Sequence, residues 1–125
     1  MDVFAGGCLC KKLRFEAKGA PIRVGLCHCL DCRKHHGAAF YAAAVFPKDA
    51  VTITGIIGDY AGRCFCPTCG SSVFARSGDE IEVHLGSLDN PDVLKPDYEL
   101  WAVRRESWLP SFPIGKSYAR DRDDT

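Results

Sequence analysis

The sequence predicts a small, mostly β domain with one short helix. Three observations lead there. Apolar and polar residues alternate at a period of two along several segments. Turn-forming residues recur between those segments. Only one stretch, just after Cys32, carries helix punctuation. Strands spaced by turns, with almost no helix, make a mostly-β fold.

The elements follow in order. In KLRFEAK, Leu13, Phe15 and Ala17 alternate with Lys12, Arg14, Glu16 and Lys18, which predicts a strand with one buried face. In PIRVGLC, Ile22, Val24 and Leu26 alternate likewise. A helix of at most about two turns is expected from Cys32 to His36, with Asp31 capping its start and Gly37 closing it. The apolar run 38–46 ends at Pro47 and reads as a buried strand. Residues 51–53 and 55–58 suggest a strand and a turn. Segments 72–76 and 80–85 flank Ser77-Gly78-Asp79, a hairpin signal, with Ile81, Val83 and Leu85 on one face. Residues 98–103, between Pro96 and Pro110, form a last strand candidate. The end of the chain, ARDRDDT, is charged. The expected organisation is one domain over 1–118 and a polar tail over 119–125 that frays.

Composition narrows the function. The 125 residues suit one domain with its own core. Sixteen basic residues cancel sixteen acidic ones, so the basic excess of a nucleic-acid binder is missing. The N-terminus lacks the basic and apolar regions of a signal peptide, and the longest apolar run is too short to span a bilayer. No nucleic acid and no membrane are expected as partners, and the expected compartment is the cytoplasm. Thiols stay reduced there, so clustered cysteines point to metal rather than to disulfides.

The eight cysteines fall into motifs. Cys27-x-Cys29-x-x-Cys32 and Cys64-x-Cys66-x-x-Cys69 share one spacing, and Cys8-x-Cys10 sits at the start of a strand. A C-x-x-C turn aims two sulfurs at one ion, and a C-x-C pair does so on an extended chain. In CPTCG, Pro67 sets a turn and Gly70 permits close backbone approach. Pairing Cys8 and Cys10 with Cys66 and Cys69 completes a four-thiolate site that ties the N-terminus to the middle of the chain. Cys27, Cys29 and Cys32 then supply three ligands from one turn, with His28 pointing the other way. Three protein ligands and an open position make the pattern of a catalytic zinc. A fourth ligand from Cys64, His35, His36 or His84 would instead close the site. Cys64 also reads as a buried free thiol.

The segments GGCLCKKLRFEA, CHCLDCRKHHGAAF, CFCPTCGSSVF, HLGSLDNP and the late W…RRESWLPSF together resemble the glutathione-dependent formaldehyde-activating enzymes, a family that includes the domain of centromere protein V. The resemblance spans about residues 6–118. It implies a small zinc-binding β fold of the type shared with methionine sulfoxide reductase B. It also implies two zinc ions per chain: a structural one on Cys8, Cys10, Cys66 and Cys69, and a catalytic, more labile one on Cys27, Cys29 and Cys32. The implied chemistry is that of a carbon–sulfur lyase or synthase, joining a small thiol such as glutathione to formaldehyde to give S-hydroxymethylglutathione. Arg33, Lys34, His35, His36, Arg104 and Arg105 are candidates to meet the thiol's carboxylates. Trp101 and Trp108 are candidate pocket walls or core residues. Cys64 is not a regular motif position, and the late segment lacks the histidine typical of many members. The competing reading is a non-catalytic module in which both zinc ions are structural and serve protein contact.

Overall fold

The computed structural model describes residues 2–122. Two sheets carry the fold. The smaller one has the order β1-β2-β5, where β1 is Val3–Gly7, β2 is Arg14–Lys18 and β5 is Val51–Thr54. All its pairings are antiparallel. The larger one has eight strands: β3 (Arg23–Cys27), β4 (Tyr41–Pro47), β6 (Gly58–Tyr60), β7 (Arg63–Phe65), β8 (Ser72–Ser77), β9 (Glu80–His84), β10 (Tyr98–Leu100) and β11 (Lys116–Ser117). Their spatial order is β11-β10-β3-β4-β9-β8-β7-β6. The single α-helix, α1, spans Leu30–His36 between β3 and β4.

The predicted alternation decides which face is buried. Phe15 and Ala17 of β2 point inward, whereas Glu16 and Lys18 stay exposed. One core cluster joins both sheets: Leu13 and Phe15 meet Ala44 and Phe46 of β4, Val73 and Phe74 of β8, and Val83 of β9. The run 38–46 becomes a strand only from Tyr41; β3 and β9 pair with its two edges, and β4 is buried on both faces because one packs on the main core and the other under the cluster of Cys27, Cys29, Cys32, Leu100 and Trp101. Its two faces do different work. Ala44 and Phe46 enter the core, while Tyr41, Ala43 and Val45 line a cavity on the other side. The β8–β9 hairpin turns at Gly78-Asp79 as its sequence requires, with Gly78 at φ 59°.

Three local expectations are corrected. Cys8 and Cys10 follow β1 rather than open a strand, and they sit in the turn between β1 and β2. Asp31 does not cap α1. The Cys29 thiol accepts the Cys32 N–H instead, and Asp31 lies in the first turn, where its charge suits the helix dipole. The last strand candidate stops at Leu100 because Trp101 turns into the left-handed region (φ 57°), and residues 102–104 form a 3-10 turn. Gly37 closes α1 at φ 68°, as expected.

The end of the chain is bonded to the domain as far as it is described. The Trp101 N–H donates to the Arg120 carbonyl (2.9 Å), and Trp101 Nε1–H donates to Asp121 Oδ1 (2.9 Å). Residues 123–125 of the predicted tail lie outside the described residues.

Candidate metal centres

Four sulfurs converge where the β1–β2 turn meets the turn between β7 and β8. Cys8, Cys10, Cys66 and Cys69 all have Sγ within 4.8 Å of one another. Cys8 Sγ lies 3.5 Å from Cys10 Sγ, and Cys10 Sγ lies 3.7 Å from Cys66 Sγ. The local chain explains the convergence. Gly70 takes φ 81° and its N–H donates to the Cys66 carbonyl (2.8 Å), which closes the C-x-x-C turn. Leu13 N–H donates to Cys8 Sγ (3.2 Å) and Cys69 N–H to Cys66 Sγ (3.5 Å). Such donors favour the thiolate form.

The charges of this group are polarised. The Ser71 hydroxyl, then backbone N–H groups, draw Cys69 down to about 5. Cys10 goes the other way, to about 11: the Lys12 N–H pulls it down, but burial and the neighbouring thiols outweigh that pull. Crowded thiols cannot all ionise unless a cation sits among them. The donor set therefore fits a divalent, thiophilic metal ion.

The second group is Cys27, Cys29 and Cys32, again with all Sγ atoms within 4.8 Å. Cys27 ends β3, Cys29 caps α1 and Cys32 lies in its first turn. A hydrogen bond with Cys27, then burial, holds the Cys32 thiol well above its ordinary value, and burial raises Cys29. Among the described residues this group takes in no fourth His, Cys, Asp or Glu ligand.

The candidates for closing it sit elsewhere. Cys64 is fully buried in β7 within the main core, and burial, then the Asp59 charge, raises it to about 11. His84 is fully buried in β9, its Nδ1 3.0 Å from Ser72 Oγ. The same hydroxyl lies 3.0 Å from His35 Nε2. His36 packs edge-on against His84, with ring centroids 4.7 Å apart. Burial, then the nearby His36, drives His84 down to about 3. His28 points away from the cysteines, as expected, and its Nε2–H donates to Glu99 Oε1 (2.8 Å). Arg105 bonds the same carboxylate at 3.3 Å. A chain of buried His28 and Glu99 and half-buried Arg105 thus follows the three-cysteine turn.

Two cavities meet at Cys32. The first, about 210 Å³, is lined by Cys27, Cys29 and Cys32 and walled by Arg23, Tyr41, Tyr98 and Trp101. The second, about 180 Å³, holds His35, Arg63 and Arg76. Tyr41 and Glu82 line both cavities, and the Tyr41 hydroxyl donates to Glu82 Oε1 at 2.7 Å. Arg63 lines the second cavity with Cys32 and favours its ionised form, a smaller influence than the Cys27 contact and burial that raise it.

Several candidate pocket residues are placed differently from expectation. Arg33 pairs with Glu106 (2.7 Å), Arg105 with Glu99, and Arg104 is exposed. Lys34 lines a separate surface depression, and His36 faces a groove beside Cys8. Trp108 is 67% exposed and is neither core nor wall of the cavities at Cys32. Trp101 and His35 do line those cavities. Sequence reasoning missed Arg63, Tyr41, Glu82, Tyr98 and Asp121. Strand alternation offered one usable hint, since Tyr41 shares its parity with Ala43 and Val45.

Two comparisons with known proteins bear on the fold and the family. A solved structure of a Rhodobacter sphaeroides protein is similar with a TM-score of 0.55 and 20% identity, covering 71% of this chain and 91% of that one. That likeness speaks for the fold. A family model described as glutathione-dependent formaldehyde-activating enzyme matches residues 3–104. That span contains all three cysteine motifs, both sheets except β11, and the two thiol clusters. The chain belongs to the glutathione-dependent formaldehyde-activating enzyme family.

Proposed function

We propose that this chain makes and breaks a carbon–sulfur bond between a small thiol and an aldehyde, S-hydroxymethylglutathione being the adduct its family membership suggests. In this reading Cys8, Cys10, Cys66 and Cys69 hold a structural zinc ion. Cys27, Cys29 and Cys32 would hold a second, more labile one beside the cavity. A single observation carries the reading: three convergent sulfurs open onto a cavity, and no fourth ligand of this chain joins them among the described residues. Zinc supplies there a cation that makes a thiolate available near neutral pH.

The chain's own residues account for the rest. Glu82 keeps Oε1 on the Tyr41 hydroxyl, and Oε2 receives the proton the thiol gives up. Burial, then the Glu82 charge, holds the Tyr41 hydroxyl well above its usual value, so it remains a donor. The thiol sulfur adds to the aldehyde carbon, and the carbonyl π electrons move to oxygen. Glu82 returns the proton to that oxygen, which leaves a hydroxyl. Atoms and charge balance, and the reverse path cleaves the adduct. Arg63 favours the ionised form of Cys32 from the second cavity.

The test is catalysed exchange between formaldehyde, glutathione and their adduct, followed by exchange NMR on zinc-loaded protein. Wild type should accelerate the exchange. Glu82→Gln should lower the rate about 100-fold or more, the ordinary worth of a positioned acid–base group. Exchange no faster with wild-type protein than without it, for glutathione and for a small thiol such as cysteamine alike, overturns the proposal.

A further inference from the structure

The family model ends at residue 104, yet the chain returns to the site beyond it. β11 pairs parallel to β10, with Tyr98 opposite Lys116 and Glu99 opposite Ser117. The following residues run along 99–103. Tyr118 N–H donates to the Glu99 carbonyl (2.9 Å), Ala102 N–H to that of Tyr118 (3.0 Å) and Trp101 N–H to that of Arg120 (2.9 Å). The Asp121 carboxylate takes the indole N–H of Trp101 at 2.9 Å, and the Arg120 guanidinium lies over the same ring, 6.0 Å from its centroid. Asp121 and Arg122 then line the first cavity together with Cys27, Cys29 and Cys32.

Two features mark this as a built wall. Trp101 adopts φ 57°, a conformation that a bulky residue holds only when its surroundings impose it. The surroundings here are the C-terminal strand and the residues after it. The cavity they bound is also small. At about 210 Å³ it lies below the roughly 300 Å³ at which pockets for drug-sized ligands begin. A tripeptide thiol is of that larger class, whereas a thiol of two or three carbons is not.

We infer that residues 118–122 cap the three-cysteine cavity and select thiols by size, with Asp121 as the latch on Trp101. Small thiols enter with the cap closed, and a tripeptide thiol enters only when the cap lifts. This selectivity rests on the proposed open site, but its structural part is testable without any activity.

The experiment compares two maleimides with the same reactive group, N-methylmaleimide and fluorescein maleimide, on full-length protein with its metal in place. Peptide mapping gives the rate at each cysteine. In Asp121→Asn, and independently in Asp121→Ala, both of which weaken or remove the acceptor for the indole N–H and leave the Trp101 ring in place, reaction of Cys29 and Cys32 with the bulky reagent should rise relative to the small one, about fivefold in Asp121→Ala, the effect of losing one hydrogen bond. Cys10 and Cys69, which are exposed, should keep their wild-type ratio. Cys64, which is fully buried, reports unfolding if it reacts, and a variant that labels Cys64 is replaced by the other. An unchanged bulky-to-small ratio at Cys29 and Cys32 in a folded variant overturns the cap. In the exchange assay, the same variant should raise kcat/KM for glutathione relative to cysteamine. If no thiol is turned over at all, the proposed function fails, while the labelling ratio still decides the cap.

Discussion

Cys29 caps α1 and, in the proposed site, would also be a metal ligand. Its sulfur accepts the Cys32 N–H, a task a serine hydroxyl performs at least as well. Cys29→Ser should therefore keep α1 and the overall melting temperature, but lose one metal ion per chain, as measured by metal analysis beside circular dichroism. Arg63 acts on the same cluster from the other cavity. Arg63→Gln removes the positive charge that shares a cavity with Cys32 and should weaken metal at the three cysteines about tenfold, the ordinary cost of losing a group outside the ligands that supports one of them. His84 gives a pH signature. Its folded value of about 3 lies below the unfolded value near 6.5, so the folded state refuses a proton that the unfolded chain accepts. Above pH 6.5 this costs nothing. As pH falls from 6.5 towards 3, stability drops by up to about 1.4 kcal/mol per unit from this one group. His84→Gln should flatten the slope of unfolding free energy between pH 6.5 and 5. An equal slope in both proteins would mean that His84 is not held neutral. The sequence named His84 only as a possible ligand. Its true setting needs Ser72, His36 and Tyr41, which three separate elements bring together.

At the scale of elements, patterning told most where a strand has one wet face. β2 and the β8–β9 hairpin follow their alternation and turn residues, and β4, buried on both faces, showed itself as an unbroken apolar run instead. β1, β6, β7 and β11 went unread. β1 ends in two glycines, and the others are two or three residues long, too short for a period to show. Gly6 needs its missing side chain because a Cβ there would meet the Ser87 carbonyl at 2.2 Å. Gly25 of β3 is a second close approach, this one at the site. The Tyr98 ring lies flat on it, so that an added Cβ would stand 2.3 Å from Tyr98 Cζ. Gly25→Ala must push Tyr98 out of the cavity wall, at a cost of about 1–3 kcal/mol. A lowered midpoint in urea with unchanged metal content would check this. Loss of metal would place the strain at the cysteines instead.

Across the whole molecule, the cysteines fall into four, three and one. The quartet joins the β1–β2 turn to a turn 56 residues later, while the trio stands at the end of β3 and the start of α1. This partition was readable because C-x-C and C-x-x-C spacings state local geometry directly. The residues around it were not, since Arg63, Glu82 and Asp121 come from strands and a C-terminal segment that no local spacing connects. Among the described residues no helix is long and apolar enough to cross a membrane. The quartet should carry the fold. Cys66→Ser leaves a buried corner without its clip, and removal of a structural zinc is a loss of folding free energy. A strong chelator should accordingly unfold the protein only after it has taken the second ion, with the first lost while the circular dichroism spectrum is intact.

The most direct measurement is X-ray absorption at the zinc edge on protein loaded to saturation. It should show two ions per chain and fewer than four sulfurs per ion on average, with zinc–sulfur distances near 2.3 Å. Adding a small thiol should replace one light-atom neighbour by sulfur. A shell already complete in sulfur or imidazole before any thiol is added, and unchanged by it, would contradict the open three-cysteine site.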